Sequence, residues 1–246
     1  MVMNIILQFL LLLVQVSPGG NDAQNILLKS DGFRNSENSS AEVNLTLKYF
    51  QKDRKNSEIK YDVWYKGHDN SIVKQITPEA GKGTIILMSG PNMWHYKPGD
   101  SNPLRITPQQ KLLGGASNAD IAKMGFSFDY NASLIGIDTC SGKKCYKLNL
   151  TAKDEKLAYQ KIIYYIDEEN YLPVKAEFLT VSGRLMKTAF YSDYKTFVDN
   201  FKTPSKIKIV ENLFNRQNYT EIEYNSIKKK NFPNKYFNYN YLENLK

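Results

Sequence analysis

The chain of 246 residues is poor in the side chains that most often carry out catalysis or bind metals. It has two cysteines and two histidines, and neither histidine lies near a serine, a cysteine or a second metal ligand at a useful spacing. His68 falls in the turn 67–70, and His95 stands between Trp94 and Tyr96. We therefore expect a protein that is not an enzyme, with no catalytic group, no metal and no cofactor.

Long hydrophobic runs are also missing. The longest, Ile5 to Val16, is interrupted by Gln8 and Gln15, whereas a transmembrane helix needs roughly 20 apolar residues. Small and turn-forming residues follow at 17–20, as at a cleavage region. We interpret residues 1–23 as a secretory signal peptide. Because no Lys or Arg precedes the run, a buried N-terminal helix stays open as the alternative. No lipid-attachment cysteine follows, so we expect an exported, soluble protein.

Positive charge exceeds negative charge, with 33 Lys and Arg against 25 Asp and Glu and a net charge of +8. The lysines cluster only at 143–144 and 228–230. A nucleic-acid-binding protein needs a basic groove with interleaved aromatic residues or a known motif, and the sequence has neither. We expect no nucleic-acid partner; an anionic lipid surface or an acidic partner suits the charge better.

The two cysteines, Cys140 and Cys145, bracket four residues. A hairpin with a four-residue turn would place them opposite each other, and it would also place Asp138 opposite Lys147. A disulfide is then geometrically plausible, and an exported compartment permits it. Two free thiols in a turn are the alternative.

Strand signals dominate the remainder of the chain, which contains 17 Tyr and 12 Phe, residues that favour sheets. Apolar residues alternate with polar ones at 43–49 and 59–65, which predicts strands with one buried face. Short connections predict antiparallel hairpins. Helical signals are sparse: they predict short helices at 22–31 and 117–124, and a further turn or two of helix at 108–113. We predict one mainly β domain over residues 24–246, with eleven to thirteen strands, a few short helices and an apolar final segment docked on the sheet.

An antiparallel sheet of this size tends to curl or close. If its helices leave the concave side unfilled, a cavity for an apolar ligand remains. A filled core fits the alternation equally well. Alternation alone gives these candidate wall residues, each of which is otherwise plain core: Leu45, Leu47, Tyr61, Val63, Val174 and Phe178.

Several different short motifs follow one another along the chain in a specific order. They are Pro78-x-x-x-x-Gly83-Thr84, Met93-Trp94-x-Tyr96-x-Pro98, Arg105-Ile106-x-Pro108, Phe126-Ser127-x-Asp129-Tyr130, the run 171–177 and Gly183-x-Leu185-x-Lys187. Together they resemble the bacterial outer-membrane lipoprotein-sorting protein family, the LolA/LolB-like carriers. The likeness extends from about Asp22 to the end of the chain.

The resemblance implies an unclosed antiparallel β-barrel of about eleven strands, with short helices forming a lid over a hydrophobic cavity for lipoprotein acyl chains. It places Trp94 and Tyr96 on a strand near the cavity. It places Leu112, Leu113, Ile121 and Phe126 on the covering helices or their ends. It also implies an inner-membrane releasing complex and an outer-membrane acceptor as partners. The cysteine pair is not a feature that the resemblance leads us to expect.

The hypothesis is therefore a periplasmic carrier that binds lipoprotein acyl chains, or a related lipid, and delivers them towards the outer membrane. Two alternatives remain. The first is a general lipid or hydrophobic small-molecule binding protein of the same fold. The second is an envelope scaffold or interaction protein with a filled core.

Overall fold

The computed structural model describes residues 20–32, 39–123, 125–212 and 218–245. The strands are β1 (Ser40–Gln51), β2 (Arg54–Lys66), β3 (Asn70–Thr77), β4 (Ile85–Ser89), β5 (Asn92–Tyr96), β6 (Leu104–Ile106), β7 (Lys111–Leu113), β8 (Ala116–Ser117), β9 (Tyr130–Cys140), β10 (Lys143–Ala152), β11 (Lys161–Asp167), β12 (Pro173–Leu179), β13 (Leu185–Val198), β14 (Phe201–Glu211) and β15 (Asn218–Lys229). The helices are α1 (Gly20–Asp31) and α2 (Asn118–Ala122), with 3₁₀ helices at Glu79–Gly81, Asn234–Phe237 and Tyr239–Asn244. The helices predicted at 22–31 and 117–124 are confirmed, whereas the helical turn predicted at 108–113 is wrong, because this segment is a turn followed by strand β7.

Thirteen strands form one antiparallel sheet in the order β6-β5-β4-β3-β2-β1-β15-β14-β13-β12-β11-β10-β9, and β7 pairs with β8 separately. Each neighbouring pair in the large sheet is a hairpin of consecutive strands except β1 with β15. Within the described residues β6 and β9 end the sheet without pairing with each other, so the predicted unclosed sheet is confirmed. The described residues contain fifteen strands rather than about eleven.

Alternation fixes the register at the centre of the sheet. Val43, Leu45 and Leu47 are buried on one face of β1, and Leu47 lies opposite Ile222 of β15. On the other face, the Lys48 ammonium lies 2.6 Å from the Glu223 carboxylate. A slip of one residue would turn every apolar side chain of β1 to the wrong face, so this pairing is strongly specified.

The strands β3 to β5 bury apolar side chains on both faces. Val73, Met88 and Met93 belong to the large core on what we call the inner face. Their chain neighbours Ile72, Leu87 and Trp94 belong to a second cluster on the outer face, because successive strand residues point in opposite directions. The C-terminal segment covers the outer face with its buried residues Phe232, Phe237, Leu242 and Leu245. The predicted docking of this segment is therefore confirmed.

The hairpin of β9 and β10 differs from the predicted one. Its turn has two residues, Ser141 and Gly142, whose φ angles of 53° and 76° suit a tight hairpin turn. Cys140 therefore pairs with Lys143 rather than with Cys145. Both thiols are buried and free, so the predicted disulfide is not formed. Burial raises the pKa of the Cys145 thiol to about 11, which makes it a poor nucleophile at neutral pH.

Candidate functional site

An apolar cavity of about 70 Å³ lies on the inner face, beneath α2. The strands β11 to β15 form its walls with Tyr164, Phe178, Ala189, Tyr191, Ile207, Ile209, Ile222 and Tyr224. Ligand pockets usually measure about 300–1,000 Å³. The cavity has mainly apolar walls, with Asp31, Asp120 and Lys123 also in its lining, and in this state it is too small to hold a ligand of that size.

Helix α2 and residues 125–127 cover the cavity, and we call them the cover; Phe126 lines the cavity from this side. Its ring makes edge-on contacts with Tyr164 and Tyr130, at centroid distances of 5.2 and 5.6 Å, and lies 6.4 Å from Phe178. Edge-to-face aromatic pairs of this kind contribute about 0.5–1.5 kcal/mol each beyond the area they bury. Because its three partners sit on the walls or at their rim, Phe126 fills space that an incoming apolar chain would need.

Helix α1 fixes the same cover through Asp31. The buried carboxylate accepts hydrogen bonds from the backbone N–H groups of Phe126, at 3.0 Å, and Ser127, at 2.8 Å. Gln24, two turns earlier on the same face of α1, donates its amide to the Ser127 carbonyl at 3.0 Å. Gly125 allows this close approach, since a Cβ atom there would lie 2.7 Å from the Asp31 carboxylate. Polar contacts from α1 therefore hold the cover, and the Ala132 N–H of β9 donates to Gln24 at 3.0 Å, which ties α1 to the sheet as well.

Substitution of Gly125 by alanine is expected to loosen the cover. The new methyl group collides with the Asp31 carboxylate, and displacing that acceptor leaves two backbone N–H groups unsatisfied, at a cost of about 1–3 kcal/mol. Hydrogen exchange should show faster exchange of the Phe126 and Ser127 amides. Gly90→Ala is the control for general destabilisation, because its positive φ strains alanine but the space around it is open; it should leave the Phe126 and Ser127 amides protected. Equal protection of both amides in G125A and wild type would contradict this account.

A buried ion pair joins the cover to the wall. Lys187 of β13 and Asp120 of α2 form a salt bridge with side chains only 7% and 8% exposed. Tyr159 donates its hydroxyl to the other carboxylate oxygen of Asp120 at 3.1 Å, and the Lys187 ammonium also donates to the Gly115 carbonyl at 3.3 Å. Complete burial lowers the pKa of Lys187, against the opposing effect of Asp120. Because all of these groups are paired, the cluster anchors α2.

Comparison with solved structures identifies the family. A LolA superfamily protein from Nitrosomonas europaea is 33% identical, with 89% of this chain and 98% of that chain covered and a TM-score of 0.81. The chain belongs to the LolA superfamily. A family model described as "Uncharacterized protein" matches residues 67–244, and the chain is a member of that family too. No curated protein matches.

Two more distant structures share the fold. A putative outer membrane lipoprotein-sorting protein domain from Vibrio parahaemolyticus is 17% identical and covers 92% of this chain and 100% of its own, with a TM-score of 0.75. A DUF1329 family protein from Desulfovibrio piger is 18% identical and covers 90% of this chain and 98% of its own, with a TM-score of 0.76. At these identities the likeness concerns the fold alone.

Only some predicted site residues reach the cavity of this LolA superfamily chain. Phe126 and Phe178 line it. Five others, Leu45, Leu47, Tyr61, Val63 and Ile121, are buried in the same core but away from the cavity lining. Leu112 and Leu113 lie on strand β7 rather than on a covering helix, and they pack partly buried against the core.

Three predicted residues lie in other clusters. Trp94 and Tyr96 lie on the outer face, where the Trp94 ring stacks on Tyr239 at a centroid distance of 5.6 Å. Alternation in the sequence separates the two faces of a strand, but it does not show which face the C-terminal segment covers. Val174 packs with the two cysteines. The β11–β12 ladder passes from Tyr165 opposite Lys175 to Ile166 opposite Pro173. Val174 is thus the extra residue of a bulge, which changes the direction of its side chain.

Sequence reasoning missed most of the walls, which lie on β13 to β15. Ile207 and Ile209 alternate with Lys206 and Lys208, and Ile222 and Tyr224 alternate with Glu221 and Glu223. This period of two was visible in the sequence and predicts one buried face. The alternation did not show that these strands lie beneath the cover, because their position relative to the cover depends on where α2 crosses the sheet.

A larger hollow of about 1,010 Å³ lies between α1 and the ends of strands β10 to β14. Its lining mixes apolar residues with charged and amide side chains, and Lys29 stacks its ammonium 4.3 Å from the Tyr171 ring centre. Such a lining offers no continuous apolar wall. Among the described residues no group of three or more His, Cys, Asp or Glu side chains is placed to hold a metal ion, and no helix is long and apolar enough to cross a membrane.

Proposed function

We propose that the protein is a periplasmic carrier that binds the acyl chains of lipoproteins, or a related lipid, beneath α2 and Phe126 and delivers them towards the outer membrane. The observation that carries the proposal is an apolar cavity walled by five strands of an unclosed sheet in a member of the LolA superfamily. Such a carrier performs no reaction. It needs an inner-membrane source that releases its cargo and an outer-membrane acceptor.

Energetics allow the closed cavity to open for an acyl chain. Each buried CH₂ group contributes about 0.8 kcal/mol, so roughly ten of them contribute about 8 kcal/mol. Disrupting a buried ion pair such as Asp120–Lys187 costs about 3–5 kcal/mol, and each aromatic contact of Phe126 about 0.5–1.5 kcal/mol. With two edge-on contacts the total cost is about 4–8 kcal/mol, so roughly ten CH₂ groups balance it and a longer chain exceeds it, whereas a short chain would not displace the cover.

The small cavity volume favours a second candidate, an envelope scaffold or interaction protein with a filled core. At about 70 Å³ the interior holds no acyl chain unless the cover moves. In this candidate the polar contacts of Asp31 and Lys187 simply complete a rigid fold. A lipid-binding measurement on the intact protein separates the two candidates.

Export through a signal peptide is part of the carrier proposal. Residues 1–19 lie outside the described residues, and α1 begins at Gly20. Ala23, the last residue of the predicted signal, is completely buried in the core. We therefore place the start of the mature domain at or before Gly20 rather than at residue 24. N-terminal sequencing of the protein recovered from its native envelope checks this boundary.

Native mass spectrometry with lipid extraction, applied to protein purified from its own envelope, tests the carrier function. Co-purified acylated peptide supports lipoprotein transport. Free phospholipid or glycolipid supports the more general lipid-binding alternative. Repeated recovery without lipid, together with no uptake of a long-chain fatty acid in solution, would leave only the scaffold.

Filling the cavity provides a mutational test. Ala189→Leu adds three carbon atoms to a buried wall residue and should reduce long-chain fatty acid binding at least about tenfold, at a stability cost of about 1–3 kcal/mol. Fluorescence displacement titration measures the affinity. Ala152→Leu is the matched control, because Ala152 packs against the same core away from the cavity. Similar affinity in both variants would mean that the ligand binds elsewhere.

A further inference from the structure

A second chamber of about 200 Å³ adjoins the apolar cavity. The two share three lining residues, Lys123, Leu157 and Ala158. Leu157 and Ala158 belong to the loop between β10 and β11, and Lys123 follows α2. These three residues lie at the boundary between the two spaces, so a ligand whose tail displaced the cover would have its polar end beside the chamber.

The chamber contains charges of both signs. Its cationic side chains are Lys123 and Lys156, and its anionic ones are Asp69, Asp129 and Asp154, with His68 beside them. Lys123 and Asp129 form an ion pair at the boundary, with side chains only 21% and 17% exposed. Lys156 and Asp154 are exposed at the outer side. The lining therefore becomes more polar from the cavity, through the Lys123–Asp129 pair, to the exposed side chains at the surface. An amphiphile whose tail lies in the cavity and whose headgroup lies in the chamber has the same order of polarity.

An aromatic contact joins one wall of the chamber to the segment that carries Phe126. His68, in the turn between β2 and β3, stacks on Phe128 at a centroid distance of 4.3 Å and an interplanar angle of 17°. Lys153 donates its ammonium to the Phe128 carbonyl at 2.9 Å. This wall adjoins the segment that carries Phe126 into the cavity. A headgroup in the chamber would therefore contact the same segment that the tail displaces.

The balance of charges selects the headgroup. The chamber wall presents carboxylates and ammonium groups side by side, so a headgroup with both signs finds partners for both, whereas a headgroup with only negative charge leaves the carboxylates unmatched. We propose that the chamber binds the headgroup of a zwitterionic phospholipid, one with a phosphate and a primary ammonium, whose acyl tail occupies the cavity. This inference rests on the proposed carrier function and specifies its cargo.

Three single-chain probes with the same acyl chain test the proposal: lysophosphatidylethanolamine, lysophosphatidylglycerol and monoacylglycerol. Isothermal titration calorimetry below their critical micelle concentrations should give the tightest binding for the ethanolamine lipid, by about fivefold over the glycerol phospholipid, as expected for partly exposed charge pairs. The double variant Asp69→Asn/Asp154→Asn should reduce this preference to less than about twofold. Its affinity for monoacylglycerol should not change.

Asp138→Asn is the control for the variant, because Asp138 is an exposed carboxylate on β9, away from the chamber. Equal binding of all three probes, a preference for the anionic lipid, or a preference that survives D69N/D154N would overturn the headgroup proposal and leave the tail site in place. Absence of binding by all three probes, monoacylglycerol included, would instead refute the carrier function itself.

Discussion

Leu47→Glu is expected to yield no folded protein. Leu47 is completely buried at the centre of β1 and lies opposite Ile222 of β15 and Ile59 of β2. An isolated carboxylate there has no partner and costs several kcal/mol even after it takes up a proton. Proteins of this kind are stable by only about 5–15 kcal/mol. Soluble yield and far-ultraviolet circular dichroism measure the loss.

Lys60→Glu controls for the added negative charge. Lys60 lies on the neighbouring strand β2 with its side chain exposed, and surface substitutions usually change stability by less than about 0.5 kcal/mol. K60E should therefore fold normally. A folded L47E that fails only to bind lipid would show that Leu47 belongs to the ligand-binding wall and that the occupied interior reaches β1.

Lys187→Met is expected to destabilise the protein by about 3–5 kcal/mol, because it leaves the Asp120 carboxylate buried without its charge partner. Asp120 keeps only the hydroxyl of Tyr159 and the N-terminal groups of α2 as donors. The midpoint of urea unfolding should fall accordingly. Because Asp120 anchors α2 over the cavity, the release rate of a bound fatty acid should rise as well.

The double variant Lys187→Met/Asp120→Asn tests whether the loss comes from the charge rather than from packing. With both charges removed, we expect most of the stability to return. Replacing a buried ion pair by uncharged side chains often leaves the free energy of unfolding nearly unchanged, because no unpaired charge stays buried. Lys55→Met breaks an exposed pair with Glu58 and should cost less than about 1 kcal/mol. If K187M and K55M are equally stable, the buried pair does not anchor α2.

The sequence predicts the sheet well because period-two alternation reports the buried face directly. Val43 to Leu47, the helix before Asp31 and the docked C-terminal segment were all predicted correctly. The face of Trp94 was assigned wrongly, because both faces of β5 are apolar and only the position of the C-terminal segment distinguishes them.

Local turn geometry explains the other errors. Two left-handed residues at Ser141 and Gly142 shorten the turn and separate the cysteines that a four-residue turn would have paired. One extra residue in β12 turns Val174 away from the cavity. The cavity itself depends on contacts between segments distant in sequence, such as Asp31 with Phe126 and Asp120 with Lys187. No pattern within either segment encodes such a pairing.

The pairing of β1 with β15 sets the order in which the fold can be completed. Every other ladder of the large sheet joins consecutive strands. The two halves, β1 to β6 and β9 to β15, can therefore each form by pairing of strands that are close in sequence. The junction between the halves brings Ala41 against Lys229, and contacts between such distant positions form slowly. Until then the unpaired backbone N–H and C=O groups along the edges of β1 and β14 are open to association with other chains. Formation of β15 ends this interval, because β15 pairs with both strands.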